Sequence, residues 1–202
     1  MTKLKVYLFK LGLTAILTAL AIVLNSFLSI RIGNVIKISL YGFPLIILGL
    51  FVGPLFSVVG GITCALINDI VGYGISLSTL WWSLAPITWA LIPALLRKFY
   101  FIKNKNYLRG LIVIGLSAFM AFLANNLAFY LDLKVFGYDY GDLVLINVVF
   151  RLISLVITTF IFSFLLFVVS KPLGKRYNRF RVNSRKENEP EISLESFGDI
   201  DD

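Results

Sequence analysis

The sequence predicts an all-α integral membrane protein, a bundle of six transmembrane helices with both termini in the cytoplasm. Hydrophobic residues make up 58% of the 202 residues and the mean hydropathy is +0.88, which favours a bilayer as the solvent. The apolar residues fall into six runs, and the loops between these runs differ in charge. No length of chain remains for a soluble domain of useful size.

The six runs are long enough to form or approach membrane spans, since a bilayer core of about 30 Å needs roughly 20 apolar residues per helix. In chain order they are Val6–Ile30, Ile38–Val52, Leu55–Tyr73, Leu80–Leu96, Leu108–Leu131 and Leu143–Ser170. The first run is too long for a cleaved signal, and no small-residue cleavage site precedes a polar chain. Residues 1–170 are therefore predicted to form one membrane domain.

The second and fourth runs have the features of broken helices. The second run is short, contains Pro44 and ends at Gly53-Pro54, and the fourth contains Pro86 and Pro93. Proline kinks a helix and frees backbone carbonyls. Such breaks occur at membrane depth where neighbouring protein or a wet cavity satisfies the backbone. These runs favour a bundle that encloses a site over a simple anchor.

The third run has two glycines, Gly60 and Gly61, in its middle and a carboxylate, Asp69, near its end. We expect the glycines to let this helix pack tightly against a neighbour. We expect the carboxylate to end the helix at the mouth of a cavity, because ionisable residues at membrane depth are costly and usually functional.

Lysine and arginine concentrate in three segments: the amino terminus, the loop at residues 97–109, and residues 171–186. With six spans all three segments lie on one side, which the positive-inside rule assigns to the cytoplasm. The loop DLKVFGYDYGD after the fifth run has three aspartates and one lysine, and it falls on the outer side. Residues 171–202 are predicted to be a charged, mostly disordered cytoplasmic tail, whose basic half can lie on anionic lipid.

The composition argues against an enzyme. Histidine is absent and Cys64 is the only cysteine, which removes the commonest general base and metal ligand and any disulfide within the chain. No phosphate-binding GxxxxGK[ST] motif occurs. Neither a cofactor or metal nor a nucleic-acid partner is expected.

Polar residues gather toward the predicted outer side, where the favoured prediction is a cavity that binds an anionic solute. The candidate binding residues are Arg31, Lys37, Asp69, Trp81, Trp82, Asn125, Asn126 and Arg151. Simpler explanations remain open for several of them. Arg31 and Lys37 can be interfacial anchors that snorkel to lipid headgroups. Asp69 and Arg151 can pair merely to tie two helices together, and the tryptophans can belong to an aromatic belt.

The first run contains TAILTALA, which places Ala15 and Ala19 on one helix face. Small residues at this spacing let another helix approach closely. From spacing alone, ordinary packing inside the bundle is the commoner explanation.

Four segments carry a resemblance to a known family: AILTALAIVL, IKISLYGFPLIILGLFVGP, GGITCALINDIVGYG and NNLAFYLDLKVFGYDYGDLVLINVVFRLISLVI. The chain resembles the substrate-binding S components of energy-coupling factor (ECF) vitamin transporters. The resemblance implies a six-helix bundle in the bacterial plasma membrane that binds a vitamin near the outer surface. It also implies partners, one transmembrane scaffold protein and two ATPase subunits, with the scaffold docked on Ala15 and Ala19.

The folate-type S components look most similar. A basic residue after the first helix and an ordered set of residues carry this similarity: Pro44, Gly49, Gly53, Pro54, Gly61, Asp69, Gly72, Asn126 and Arg151. The segment GYGISLSTLWW departs from the proline- and phenylalanine-rich loop usual in that type, so pantothenate and riboflavin remain open as substrates.

Two further classes also remain open. One is a membrane assembly or lipid-modifying protein, and the other is a structural or regulatory membrane protein. For a folate, guanidinium groups would bind carboxylates as a bidentate fork, and Trp81, Trp82 or Tyr73 would stack on the pterin.

Overall fold

The computed structural model describes residues 3–32, 36–72, 74–101, 107–137 and 143–186, and these residues are predominantly helical. Within them the chain forms helices and one two-stranded hairpin. In order these are α1 (Lys3–Phe27), β1 (Ser29–Ile32), β2 (Ile36–Ser39), α2 (Gly42–Phe51), α3 (Pro54–Gly72), α4 (Thr79–Trp82), α5 (Leu84–Leu95), α6 (Arg97–Phe101), α7 (Tyr107–Phe136) and α8 (Leu143–Lys186).

The long helices have the length and composition of membrane spans. Among the described residues, four stretches are long and apolar enough to cross a bilayer: Leu4–Phe27, Pro54–Gly72, Tyr107–Phe136 and Val144–Val169. Two shorter apolar stretches, Gly42–Phe51 and Thr79–Leu95, occupy the second and fourth predicted runs. At 1.5 Å per residue they cover about 15 Å and about 25 Å. The fold is thus compatible with a membrane protein that has four full-length candidate spans.

A β-hairpin lies outside the all-α prediction. Strands β1 and β2 pair antiparallel, with Arg31 opposite Lys37. The sequence SIRIGNVIKIS alternates charged or polar residues with isoleucine, and that period of two favours a strand over a continued helix. The hairpin packs beside the carboxyl end of α1, and β2 also contacts α8. We call this end of the bundle, where α1, α3 and α7 end and α8 begins, the hairpin end.

Glycine and proline mark two of the interruptions between helices, at Gly53-Pro54 and before Pro86. Gly53 has a positive φ of 122°, a conformation open to glycine, and Pro54 then begins α3, a position that suits its missing N–H. The Ser57 hydroxyl donates a hydrogen bond to the Gly53 carbonyl at 2.6 Å. Ser83 separates α4 from α5, three residues before Pro86. Interruptions therefore occur at Gly53-Pro54 and before Pro86, where proline cannot donate to the backbone hydrogen-bond pattern, whereas Pro44 and Pro93 lie within α2 and α5.

Helix α5 forms the centre of the bundle, because α2, α3 and α7 all pack on it. Close approach depends on glycine at two of these contacts. A Cβ atom on Gly61 would lie 2.9 Å from the Cα atom of Ile87, and one on Gly49 would collide with the carbonyl oxygen of Ala90. The expectation that the glycines of the third run permit tight packing agrees with this geometry.

Large apolar side chains also cover the outside of the bundle, as expected for helices that face lipid. Exposed examples occur on each long helix: Ile16 on α1, Leu55 on α3, Leu116 on α7 and Phe164 on α8. The buried core is a separate set that includes Leu45, Leu48, Ile114, Phe162 and Leu166.

Helix α8 continues to Lys186, beyond the apolar stretch that ends at Val169. The sequence analysis expected a disordered tail from residue 171, so the backbone of residues 171–186 differs from that expectation. A helix that is already formed extends without a new nucleation cost, which explains how a polar segment joins it. Residues 187–202 lie outside the described residues.

Candidate functional site

Arg151 occupies the centre of a polar and aromatic cluster at the hairpin end. Its Nη1 atom donates a hydrogen bond to the backbone carbonyl of Asn125 on α7, at 2.8 Å. The guanidinium carbon lies 5.2 Å from the ring centroid of Phe129 and 5.7 Å from that of Trp82. These distances are within the range of cation–π attraction. We call Arg151, Trp82, Phe129 and the Asn125 carbonyl the arginine cage.

Helix periodicity explains why α7 can build one side of the cage. Asn125, Phe129 and Asp132 stand at positions i, i+4 and i+7, so they share one face of the helix. α7 packs along α8, and Arg151 lies in the third turn of α8. A single stripe of α7 therefore presents a carbonyl, a ring and a carboxylate toward the same region.

Asp132 accepts hydrogen bonds from two neighbouring tryptophans. The Trp81 indole Nε1 donates to Oδ1 and the Trp82 indole Nε1 donates to Oδ2, each at 2.6 Å. Hydrogen bonds to an ionised acceptor are the stronger kind. These two bonds, which we call the tryptophan clamp, hold the short helix α4 against the end of α7.

Arg151 forms no ion pair with any carboxylate among the described residues. Asp69, the partner considered from the sequence, is partly buried near the end of α3, on a different helix, and no hydrogen bond or ion pair joins it to Arg151 among the described residues. The interpretation of Asp69 and Arg151 as an ion pair between two helices is therefore wrong. The nearby charge on Asp132 is already engaged by the tryptophan clamp.

Asn147 adds an open hydrogen-bond acceptor beside the cage. It stands four residues before Arg151 on α8, and this spacing places both residues on one helix face. Its side chain is only 8% exposed, yet its Oδ1 atom has no hydrogen-bond partner among the described residues. Buried polar atoms nearly always have a partner. The unpartnered oxygen therefore indicates a donor that is not supplied by this part of the chain.

The other predicted site residues have different positions. The Asn126 amide donates to the Phe122 carbonyl of its own helix at 2.8 Å, so it stabilises α7 locally. Asn125 joins the cage through its backbone carbonyl. Arg31 and Lys37 face each other across the hairpin by register, but their side chains, and the whole of Tyr73, lie outside the described residues.

Three residues of the cluster were not predicted from the sequence: Phe129, Asp132 and Asn147. Asp132 was assigned to a loop, because the fifth run was predicted to end at Leu131, whereas α7 continues to Phe136. Extending the helical period by five residues would have placed Asp132 on the same face as Asn125. Asn147 stands in an almost wholly apolar stretch, and its isolation there is the signal that could have identified it.

Ala15 and Ala19 are both exposed on α1. Neither is buried against a helix in the part of the chain that the structure describes, so the small face that they form is directed outward there.

Comparison of the sequence with protein-family models and with curated proteins finds no match. The chemistry of the site is therefore the main guide to function. The cage presents a cation whose remaining N–H groups are hydrogen-bond donors, Asn147 presents an acceptor, and the Trp82 and Phe129 rings flank the cation. Such a set suits a small solute that has an anionic group and a hydrogen-bond donor.

Proposed function

We propose that this chain is the substrate-binding subunit of an ATP-driven ECF-type vitamin importer, with folate as the favoured substrate. The single observation that carries the proposal is the arginine cage. Arg151 is held between two aromatic rings and a backbone carbonyl, and no carboxylate among the described residues neutralises it.

A guanidinium in this position favours an anionic ligand. A partly buried cation is costly unless it is paired, and the two rings and one carbonyl offset only part of that cost. A carboxylate from a solute would complete the pairing through the bidentate geometry that guanidinium prefers. Folate and pantothenate both have such a carboxylate, whereas riboflavin does not.

Asn147 indicates that the ligand has a hydrogen-bond donor as well as a negative charge. Its unpartnered oxygen requires an N–H or O–H donor, and an amino-substituted ring or an amide supplies one. Folate has a carboxylate, several N–H donors and a flat ring that can stack on an indole. Pantothenate, with a carboxylate, an amide and hydroxyls, is the main alternative substrate.

The proposed arrangement in the membrane has six crossings, made by the four full-length candidate spans and by the two shorter apolar stretches. The hairpin end faces outward and both termini are cytoplasmic, as the loop charges favour. The protein would reside in a bacterial plasma membrane. Its partners would be a transmembrane scaffold that docks on Ala15 and Ala19 and two ATPases, since the chain has no phosphate-binding motif of its own.

The proposal is tested by purifying the protein in detergent and identifying co-bound small molecules by mass spectrometry. Calorimetry with folic acid, pantothenate and riboflavin then measures each affinity directly. We expect folic acid to bind and to displace whatever co-purifies. Binding of none of the three vitamins would overturn the proposal, and release of a chemically altered lipid would instead favour a lipid-modifying protein.

A further inference from the structure

We propose that the tryptophan clamp keeps Asp132 away from Arg151, so that the guanidinium stays available to an anionic solute. The inference rests on the proposed function, because it gives a role to residues beside the proposed binding site. Trp81 and Trp82 are then positioning residues that act through Asp132, in addition to any contact that they make with the solute.

Asp132 is placed within reach of the cage. It shares one face of α7 with Asn125 and Phe129, and both of these contact Arg151. Asp132 stands three positions after Phe129, a rise of about 4.5 Å along the axis. Asp132 and Arg151 also share a neighbour, because the Trp82 side chain contacts both of them, so Asp132 is a natural ion-pair partner for Arg151 among the described residues.

The clamp prevents that pairing. Both carboxylate oxygens already accept an indole N–H, Oδ1 from Trp81 and Oδ2 from Trp82. These donors are neutral, so they satisfy the carboxylate's hydrogen bonding and leave the positive charge of Arg151 unneutralised. Trp82 belongs to both the tryptophan clamp and the arginine cage, because its N–H bonds to Asp132 while its ring lies over Arg151.

The arrangement explains why an acid and a base that share the Trp82 side chain do not pair with each other. If the indole donors were lost, the partly buried Asp132 carboxylate would have no indole N–H to bond. Its attraction to Arg151 would then be strong at low effective dielectric. An Asp132–Arg151 pair would then compete with the carboxylate of the solute as a built-in anion. The clamp therefore determines whether the cage accepts a ligand.

The test removes the donors and then the competing charge. The variant Trp81→Phe with Trp82→Phe keeps an aromatic ring at each position but has no indole N–H. The triple variant adds Asp132→Asn. Folic acid affinity is measured by calorimetry, and the reaction of Arg151 with phenylglyoxal is followed by mass spectrometry without any ligand present.

We expect the double variant to bind folic acid about tenfold more weakly and to react more slowly at Arg151, because an ion pair protects the guanidinium. We expect the triple variant to regain most of both. A triple variant no better than the double would overturn the inference, since a merely structural role of the tryptophans would not be repaired by removing a charge.

The ligand-free readout separates this inference from the proposed function. If the parent protein binds no folic acid but phenylglyoxal reactivity falls and returns as described, the clamp is correct and the folate assignment is wrong. If the double variant does not fold, Trp81→Phe alone frees one carboxylate oxygen and leaves the Trp82 ring over Arg151. Its smaller loss of Arg151 reactivity should again be reversed by Asp132→Asn, and failure of that reversal would refute the clamp.

Discussion

The centroid of the Trp82 ring on α4 lies 5.7 Å from the guanidinium carbon of Arg151 on α8, and Phe129 on α7 contributes the second ring of the cage. The same indole donates its N–H to Asp132. The Trp82 side chain thus contacts both Asp132 and Arg151, the two charged residues of this cluster among the described residues. In our proposal it keeps the two from pairing.

Replacing Arg151 should abolish tight binding of an anionic solute. Arg151→Met keeps an unbranched apolar stem but removes the charge, and truncating one partner of a buried charge pair costs about 2–5 kcal/mol. We therefore expect folic acid affinity to fall by about 30-fold or more. Arg109→Met is the matched control, since Arg109 also lies over a ring, that of Phe99, but in the first turns of α7. Equal losses in both variants, measured by calorimetry, would contradict the assignment.

Replacing Asn147 should separate stability from binding. Its Oδ1 atom is buried without a partner, so Asn147→Leu removes an unsatisfied group and should leave the thermal midpoint unchanged or raise it. Affinity for folic acid should fall by about tenfold, because a ligand donor loses its acceptor. Ser163→Ala is the control, since that hydroxyl is bonded to Thr159 in its own helix at 2.6 Å. Unchanged affinity in Asn147→Leu would show that the oxygen does not face the ligand.

A side chain at Gly61 should weaken the packing of α3 on α5. The added Cβ atom of Gly61→Ala would lie 2.9 Å from the Cα atom of Ile87, and a backbone atom cannot move aside cheaply. We expect a loss of about 1–3 kcal/mol in the free energy of unfolding. Gly12→Ala, where no atom lies within 4 Å of the new Cβ, should be neutral or slightly stabilising because alanine favours helix. Thermal unfolding in detergent compares the two, and a Gly12 variant that loses as much would show that the contact is not responsible.

Bulky residues at Ala15 and Ala19 should block a scaffold helix without harming ligand binding. Both alanines are exposed on α1, and helix association in lipid depends on close backbone approach. Ala15→Trp with Ala19→Trp should keep folic acid affinity and lose co-purification with the scaffold. The control is Ile16→Trp with Leu20→Trp, at two exposed apolar positions beside them. If both pairs retain the scaffold, docking occurs elsewhere.

The proposed orientation predicts which engineered cysteines are accessible. Cys64 is fully buried, so a Cys64→Ala background removes a thiol that is shielded in the fold. Val135→Cys, exposed at the hairpin end, should react with an impermeant maleimide on intact cells. Lys98→Cys, exposed at the opposite end in α6, should react only after the cells are opened. The reverse pattern would invert the proposed topology.

Much of the architecture was predictable from the sequence, since it depends on local properties. Apolar run length sets where helices can span a bilayer, and all six predicted runs correspond to apolar helices or helix pairs in the structure. The turn at Gly53-Pro54 and the interruption before Pro86 follow from the backbone limits of these residues. The hairpin was missed because its first strand directly follows a long helix and shares its apolar character.

The candidate site depended on the tertiary structure. The sequence by itself singled out Arg151, Trp81 and Trp82, because charge and indoles are conspicuous in an apolar chain. Only the fold decided that Arg151 meets Trp82 and Phe129, that Asp132 rather than Asp69 is bonded to Trp82, and that Asn147 keeps an unpartnered oxygen. Residues distant in sequence become neighbours through the packing of helices, and packing depends on which face each helix presents over its whole length. A one-turn error in the end of α7 was enough to place Asp132 in a loop, whereas the helix places it on the face that builds the cage.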